Sequence, residues 1–221
     1  MAKEVNNENE AVVTAVSKVE KFLQGNKKTI WGIIIALIVL AAVGYVCYKF
    51  VYIPKKIEAL AQMYKAEAAF RDGNYDLAMK GDGNVMGFED IISEYGAKAG
   101  KSVYMYAAIC SLNAEDPDAA LSYISKYSTK DKIMAGRAES LKGDAYSAKE
   151  NPLKAASCYM EAAKATGRTF RSTYLLKAGQ AYEAAGQAEK ALDAYKIIKD
   201  QYPSSIEAYE IDKHISRIEV K

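Results

Sequence analysis

Residues 178–203, AGQAYEAAGQAEKALDAYKIIKDQYP, decide the fold of this chain. Apolar and small residues recur at helical spacing on both sides of a short polar stretch, which predicts a tight turn between two helices. Ala191 is small enough to let the second helix approach the first, and the tyrosines fill the groove that remains. The stretch therefore predicts a pair of antiparallel helices.

The same short pattern occurs four times along the chain. It reads DGNYDLA at 72–78, AEDPDAA at 114–120, KENPLKA at 149–155 and AGQAEKA at 185–191. The closing residues, Ala78, Ala120, Ala155 and Ala191, are separated by intervals of 42, 35 and 36 residues. A period of this length predicts stacked helix pairs, and four pairs exceed the roughly three that a continuous core needs.

These segments resemble the tetratricopeptide repeat, whose period is 34 residues. In the last segment the residues that match the family pattern are Gly179, Tyr182, Gly186, Ala191, Tyr195 and Pro203. The first interval is eight residues longer than the family period, and the surplus matches KGDGNVMG at 80–87. We expect the second helix of the first pair to be interrupted there and to resume from Phe88 through Tyr95. The resemblance implies an all-α solenoid of about four helix pairs.

The C-terminal segment, residues 204–220, predicts one further helix that caps the array. Ser204 or Ser205 can cap its first turn. The apolar side of this helix is expected to consist of Ile206, Tyr209, Ile215 and Ile218.

An uncharged segment near the N-terminus predicts a transmembrane helix. It begins at Thr29, ends at Tyr48 and reads TIWGIIIALIVLAAVGYVCY. Twenty residues at 1.5 Å each span about 30 Å, the thickness of the hydrocarbon core of a bilayer. A buried core helix and a cleaved signal peptide are the alternatives, and the complete lack of charge and the long leading segment disfavour them.

The domain organisation follows from this segment. We expect a tail with an amphipathic helix at 1–28, a transmembrane helix at 29–50 and a repeat domain at 51–221. Four lysines lie close to the first end of the span and three close to the second, so the positive-inside rule barely favours a cytoplasmic N-terminus.

The layout as a whole resembles the YfgM-type ancillary subunits of the bacterial Sec translocon. The most similar stretch is VSKVEKFLQGNKKTIWGIIIALIVLAAVGYVCYKF at 16–50. The resemblance implies a single-pass protein of the bacterial inner membrane, with a cytoplasmic tail and periplasmic repeats. It also implies a non-enzymatic adaptor whose partners are translocon subunits, chaperones or emerging substrates. A self-associating structural or assembly scaffold of the cell envelope is the alternative.

Composition disfavours catalysis and nucleic-acid binding. Residues 50–221 carry 24 basic and 24 acidic side chains, which leaves no concentrated positive patch for a phosphate backbone. The chain has one histidine and three cysteines, and no phosphate-binding or nucleophile motif is present in the sequence. We therefore expect no enzyme activity, no cofactor and no metal.

Three isolated features have simple structural interpretations. Asp82 and Asn84 resemble the start of a calcium loop, but the loop has too few oxygen ligands and is expected to be a glycine-rich turn. Cys110 and Cys158 fall on helices that are not direct neighbours, so we expect two buried thiols and not a disulfide. His214 is expected to be a solvated surface residue.

The concave face of the array is the predicted working surface, because extended repeats use that face for binding. Helical phase alone assigns three residues from each helix pair to it. They are Met63, Glu67, Phe70, Met105, Ile109, Leu112, Arg137, Ser140, Asp144, Leu176, Gln180 and Glu183.

Overall fold

The structure, a computed structural model, describes residues 25–220, and these residues are helical without a single strand. This confirms the predicted all-α class. The predicted amphipathic helix of the tail lies outside the described residues. The α-helices are α1 (Lys27–Cys47), α2 (Ile53–Arg71), α3 (Tyr75–Lys80), α4 (Phe88–Tyr95), α5 (Ser102–Asn113), α6 (Pro117–Lys126), α7 (Lys132–Ala148), α8 (Pro152–Ala165), α9 (Arg171–Ala184), α10 (Ala188–Gln201) and α11 (Ile211–Glu219).

Three short helical turns complete the described chain. A π-helical turn, Tyr48–Tyr52, follows α1, and 3₁₀ turns cover Gly96–Ala99 and Ile206–Glu210. The chain divides into two compact units, of which the first ends at Pro54 and the second begins at Lys55.

The first unit contains the apolar helix. Within the described residues, one helix is long and apolar enough to cross a membrane, and it lies near the N-terminus. None of the α1 side chains is buried, and the large apolar ones from Trp31 onward are at least 40% exposed. A helix from the core of a soluble domain would bury such side chains against protein, so α1 is not a core helix.

The second unit contains four helix pairs that share one turn. The pairs are α2–α3, α5–α6, α7–α8 and α9–α10. In each turn one residue takes a positive φ of 53–80°, and the next backbone N–H donates to the carbonyl five residues earlier at 2.8–2.9 Å. This is the Schellman motif, which satisfies the last carbonyls of a helix. The positive-φ residues, separated by the same 42, 35 and 36 residues, are Gly73, Glu115, Glu150 and Gly186.

The second helix of each pair begins in the same way. Ala78, Ala120, Ala155 and Ala191 are all at most 1% exposed, as expected for the residue at which the two helices approach. Asp116 and Asn151 accept hydrogen bonds from the first turns of α6 and α8, and a proline follows each cap. Local capping therefore sets the start of these helices.

The predicted interruption of the first pair is confirmed. Helix α3 ends at Lys80, and the chain resumes as α4 at Phe88, whose ring is fully buried. Between them Asp82 Oδ1 accepts hydrogen bonds from the backbone N–H groups of Asn84 and Val85 at 2.9 and 2.8 Å. These bonds lower the pKa of the Asp82 carboxyl, and they give Asp82 a role in closing the turn.

The C-terminal cap differs from its prediction. The segment starts with a 3₁₀ turn capped by Ser205, whose hydroxyl accepts from the N–H of Ala208. Ile206 and Tyr209, which were predicted to be apolar contacts, are 84% and 86% exposed. A 3₁₀ turn has three residues per turn, so it shifts the phase of the apolar side. The residues that face the core are Ile211, Ile215 and, partly, Ile218.

Two of the four turns have glutamate, not glycine, at the positive-φ position, and this allows a test of the turn geometry. Glu150 is exposed and takes φ 53°, a conformation that costs an L-residue with a Cβ about 1–2 kcal/mol. We expect Glu150→Gly to raise the free energy of unfolding by about 0.5–1 kcal/mol, net of the greater chain entropy of glycine. Glu150→Ala is the matched control, because it removes the carboxylate and keeps the Cβ. Equal stability of both variants in chemical unfolding would contradict the turn geometry.

Candidate protein-binding surface

A tyrosine lies on a glycine in each of the last two helix pairs. Tyr159 of α8 covers Gly143 of α7, where a Cβ would come within 2.5 Å of the ring. Tyr195 of α10 covers Gly179 of α9 in the same way, and a Cβ there would overlap the ring. The two arrangements are 36 residues apart, so the same glycine–tyrosine contact holds the two helices together within each pair.

The phenol of each tyrosine donates to a carboxylate on the first helix of its own pair. The Tyr159 hydroxyl donates to Asp144 Oδ1 at 2.7 Å, and the Tyr195 hydroxyl donates to Glu183 Oε1 at 2.5 Å. Burial, together with the adjacent carboxylate, raises the pKa of both phenols. Both hydroxyls are therefore protonated donors at neutral pH.

A cation from the following helix completes each group. Lys177 of α9 lies 2.9 Å from Asp144, and Arg217 of α11 donates to both Glu183 oxygens at 2.7 and 2.8 Å. Burial opposes the charge of Glu183, but hydrogen bonds from the Tyr195 phenol and from Arg217 outweigh it and lower the pKa of the carboxyl. These contacts therefore stabilise the fold at pH values above 4.5, the ordinary pKa of a glutamate. The stabilisation is lost as the pH falls through the lowered pKa of Glu183.

His214 belongs to the second of these groups, so its prediction as a solvated residue is wrong. Its side chain is only 15% exposed, and its Nδ1 lies 3.7 Å from Glu183 and 3.1 Å from Arg217. Its ring lies 5.0 Å from the ring of Tyr195. The residue packs at the junction of α9, α10 and α11 because α11 turns this side toward the preceding pair.

The structure divides the predicted groove residues into three classes. Met63, Met105 and Ser140 are 3–8% exposed, so they cannot line an open groove. The first helices of the last three pairs, α5, α7 and α9, each pack both on their own partner and on the preceding pair, and helical phase alone does not separate the two contacts. Arg137 and Gln180 are exposed. The half-buried members are Glu67, Phe70, Ile109, Leu112, Asp144, Leu176 and Glu183.

Two tyrosines that the sequence analysis missed join several of these residues. The ring of Tyr106 stacks on Phe88 with centroids 5.3 Å apart and meets the edge of Phe70 at 4.9 Å. Burial raises the pKa of the Tyr106 phenol, and Glu67 adds to the rise, whereas Arg71 and, less strongly, Arg137 oppose it.

Tyr174 extends the same arrangement toward α9. Burial raises the pKa of its phenol, while Arg137 lowers that pKa and Asp144 raises it. Arg137 thus lies within electrostatic range of both missed phenols. Their only signal in the sequence is the high tyrosine content, 17 residues, which does not say which tyrosines face a surface. We call this set the aromatic–charged surface: Glu67, Tyr106, Arg137, Asp144, Tyr174 and Lys177.

A separate cleft of about 570 Å³ lies between the α6–α7 connection and α8. Its charged side chains are already paired along their own helices, Lys142 with Glu139 at 2.8 Å and Lys164 with Glu161 at 2.6 Å. These contacts satisfy the charges of the cleft internally, whereas the aromatic–charged surface keeps an exposed cation, Arg137, beside its own ion pair of Lys177 with Asp144.

Burial makes the thiols of Cys110 and Cys158 poor nucleophiles in this fold. The three cysteines are unbridged, and burial raises the pKa of the Cys110 thiol to about 12. Cys158 is half-buried, and burial raises the pKa of its thiol as well. Within residues 25–220, no group of three or more His, Cys, Asp or Glu side chains is placed to hold a metal ion. No family model, curated protein or solved structure matches this chain.

Proposed function

We propose that this protein is a membrane-anchored adaptor, not an enzyme, which binds other proteins through the aromatic–charged surface of a tetratricopeptide-repeat solenoid. The observation that carries the proposal is the ion pair of Lys177 with Asp144 at 2.9 Å, which joins α9 to α7. Arg137, two turns before Asp144 on α7, is exposed, and Tyr106 and Tyr174 are half-buried. Phenol hydroxyls and a guanidinium bind carbonyl and carboxylate oxygens, and the ring faces bind apolar side chains. A peptide segment offers both kinds of group.

The assignment to the repeat family rests on recurrence. The Schellman turns and the buried closing alanines repeat at 42, 35 and 36 residues. The glycine–tyrosine packing repeats at 36 residues in the last two pairs. The longer first interval is accounted for by the loop between α3 and α4. These features support stacked pairs of the tetratricopeptide type.

The proposed location is supported by α1. We assign the chain to the bacterial inner membrane as a single-pass protein, with its N-terminus in the cytoplasm and its repeats in the periplasm. The exposed apolar surface of α1 and the resemblance of residues 16–50 to translocon-associated anchors support this placement. Its partners would then be Sec translocon subunits, periplasmic chaperones or emerging substrates. Tethering in one plane raises the effective concentration of such partners.

Recovery of partners in mild detergent tests the proposal. We expect the wild-type chain to co-purify translocon or chaperone components above the level of an unrelated anchored protein. Arg137→Ala should reduce that recovery several-fold, because it removes the charge shared by Tyr106 and Tyr174. Lys196→Ala, an exposed change on α10, is the control and should leave recovery unchanged. Equal recovery with both variants would refute the assigned surface.

A further inference from the structure

Helix α2 carries apolar side chains on two separate faces. One face packs into the core of the repeat unit, where its residues are at most 3% exposed. Those residues are Ala59, Met63 and Ala66. A second face presents Ile57, Leu60 and Tyr64, which are 63%, 47% and 66% exposed. At 3.6 residues per turn the second set lies about a third of a turn away from the first. Nothing in the described chain covers it.

The spacing of the exposed set is that of a coiled-coil seam. Ile57, Leu60 and Tyr64 are separated by three and then four residues, which are the intervals between a, d and the next a position of a heptad. A β-branched residue at a with leucine at d favours two parallel strands. In a parallel pair, Lys56 of one copy would face Ala61 of the other, and the seam ends at Tyr64 because the next d and a positions are Glu67 and Arg71, whose like charges would meet.

We propose that α2 pairs with α2 of a second copy of this chain, in parallel and in register, through Ile57, Leu60 and Tyr64. This inference rests on the membrane anchor of the proposed function but not on partner binding. All anchored copies share one orientation, and Ile57 follows the end of the apolar segment at Tyr48 by nine residues in every copy. The seams of two copies therefore start at equivalent points.

Anchoring also explains why so short a seam suffices. Three side chains are too few for a stable coiled coil in solution, because isolated helices need longer contacts. Confinement to a membrane raises the effective concentration of the second helix by orders of magnitude. Pairing through α2 uses none of Tyr106, Arg137 and Tyr174, so a dimer presents two aromatic–charged surfaces to a partner.

A second copy explains the exposed face better than a lipid surface does. A helix that lies on a bilayer has a polar face, rich in Lys and Arg, opposite its apolar one. The charged residues of α2 are of both signs, and a second face of the helix, with Ala59, Met63 and Ala66, is buried within its own unit. A helix with two apolar faces is typical of a helix that is packed between protein on both sides.

Cysteine cross-linking in membranes tests the pairing on the full chain. In a background with Cys47, Cys110 and Cys158 replaced by alanine, Leu60→Cys should form a covalent dimer with mild oxidant, since d residues of a parallel pair approach within disulfide range. Glu58→Cys, exposed on the same helix but off the seam, is the control and should cross-link at least several-fold less. Equal yields at the two positions, or no dimer at residue 60, would overturn the proposal.

Lipid dilution distinguishes a second copy from the bilayer. With a polarity-sensitive fluorophore on Leu60→Cys, reconstitution at increasing ratios of lipid to protein should shift the emission to the red as copies separate. Emission that stays blue at high dilution would mean that lipid covers the seam, and the pairing would be wrong. A chain that fractionates away from membranes would refute the anchor and the pairing together, whereas a membrane-bound monomer would refute the pairing alone.

Discussion

Replacing Tyr195 with alanine is expected to lower the free energy of unfolding by about 3–5 kcal/mol, the usual cost of deleting a buried aromatic side chain. The Tyr195 side chain is fully buried, its ring covers the Gly179 backbone and its hydroxyl donates to Glu183. The deletion leaves a cavity between α9 and α10 and removes one partner of a half-buried carboxylate. In a domain of this size the melting temperature should fall by about 10 °C.

Two matched variants separate packing from hydrogen bonding. Tyr195→Phe keeps the ring and removes only the hydroxyl, and since Arg217 still binds Glu183, it should cost about 0.5–1.5 kcal/mol. Lys196→Ala, exposed on the same helix, should stay within about 0.5 kcal/mol of the wild type. Thermal unfolding of the full chain in detergent, followed by circular dichroism, measures all three. The glycine–tyrosine packing is wrong if Tyr195→Ala melts together with Lys196→Ala.

Thiol labelling of intact cells should be all or none at the two ends of the chain. In a background without native cysteines, Ser204→Cys is expected to react fully with a membrane-impermeant reagent that reaches the periplasm. Ser204 is exposed in the turn before the last helical segment, and its neighbour Ser205 keeps the capping hydroxyl. Asn7→Cys, in the tail, should remain unlabelled until the membrane is permeabilised.

The reverse pattern has an equally definite meaning. Labelling at residue 7 alone would place the repeats in the cytoplasm and would refute the proposed translocon and periplasmic chaperone partners. Labelling at both residues in intact cells would contradict a single membrane crossing. Permeabilised cells are the control, because both thiols must react there for the comparison to be valid.

The helix pairs were predictable because their signals are local. A Schellman turn, an Asp or Asn cap and a closing alanine involve residues within about six positions of one another, so a short segment contains all the interacting groups. The interruption at 80–87 was equally predictable, since a glycine-rich insertion exceeds what a helical turn can absorb. The positive φ of Glu115 and Glu150 was not predictable from residue type, because the surrounding turn imposes that conformation on a residue that rarely adopts it.

The proposed binding surface was only partly predictable. Glu67, Arg137 and Asp144 were assigned to it from helical phase, whereas Tyr106, Tyr174 and Lys177 were missed. Met63, Met105 and Ser140 were assigned and are buried. Helical phase gives the direction in which a side chain points from its own helix. Whether that side chain is buried depends on whether a neighbouring helix packs against that side.

The sequence by itself determined the helical class, the four helix pairs with their turns, and an apolar helix long enough to span a membrane. Each depends on composition or on contacts within a single turn, so no distant residue is needed. Only the tertiary structure decided that Ile206 and Tyr209 are exposed, that His214 joins Glu183, and that α2 leaves one apolar face uncovered. The contact of His214 with Glu183, 31 residues earlier, and the uncovered face of α2 depend on how the helices pack together. The exposure of Ile206 and Tyr209 follows from the 3₁₀ turn, which shifts the helical phase of that segment.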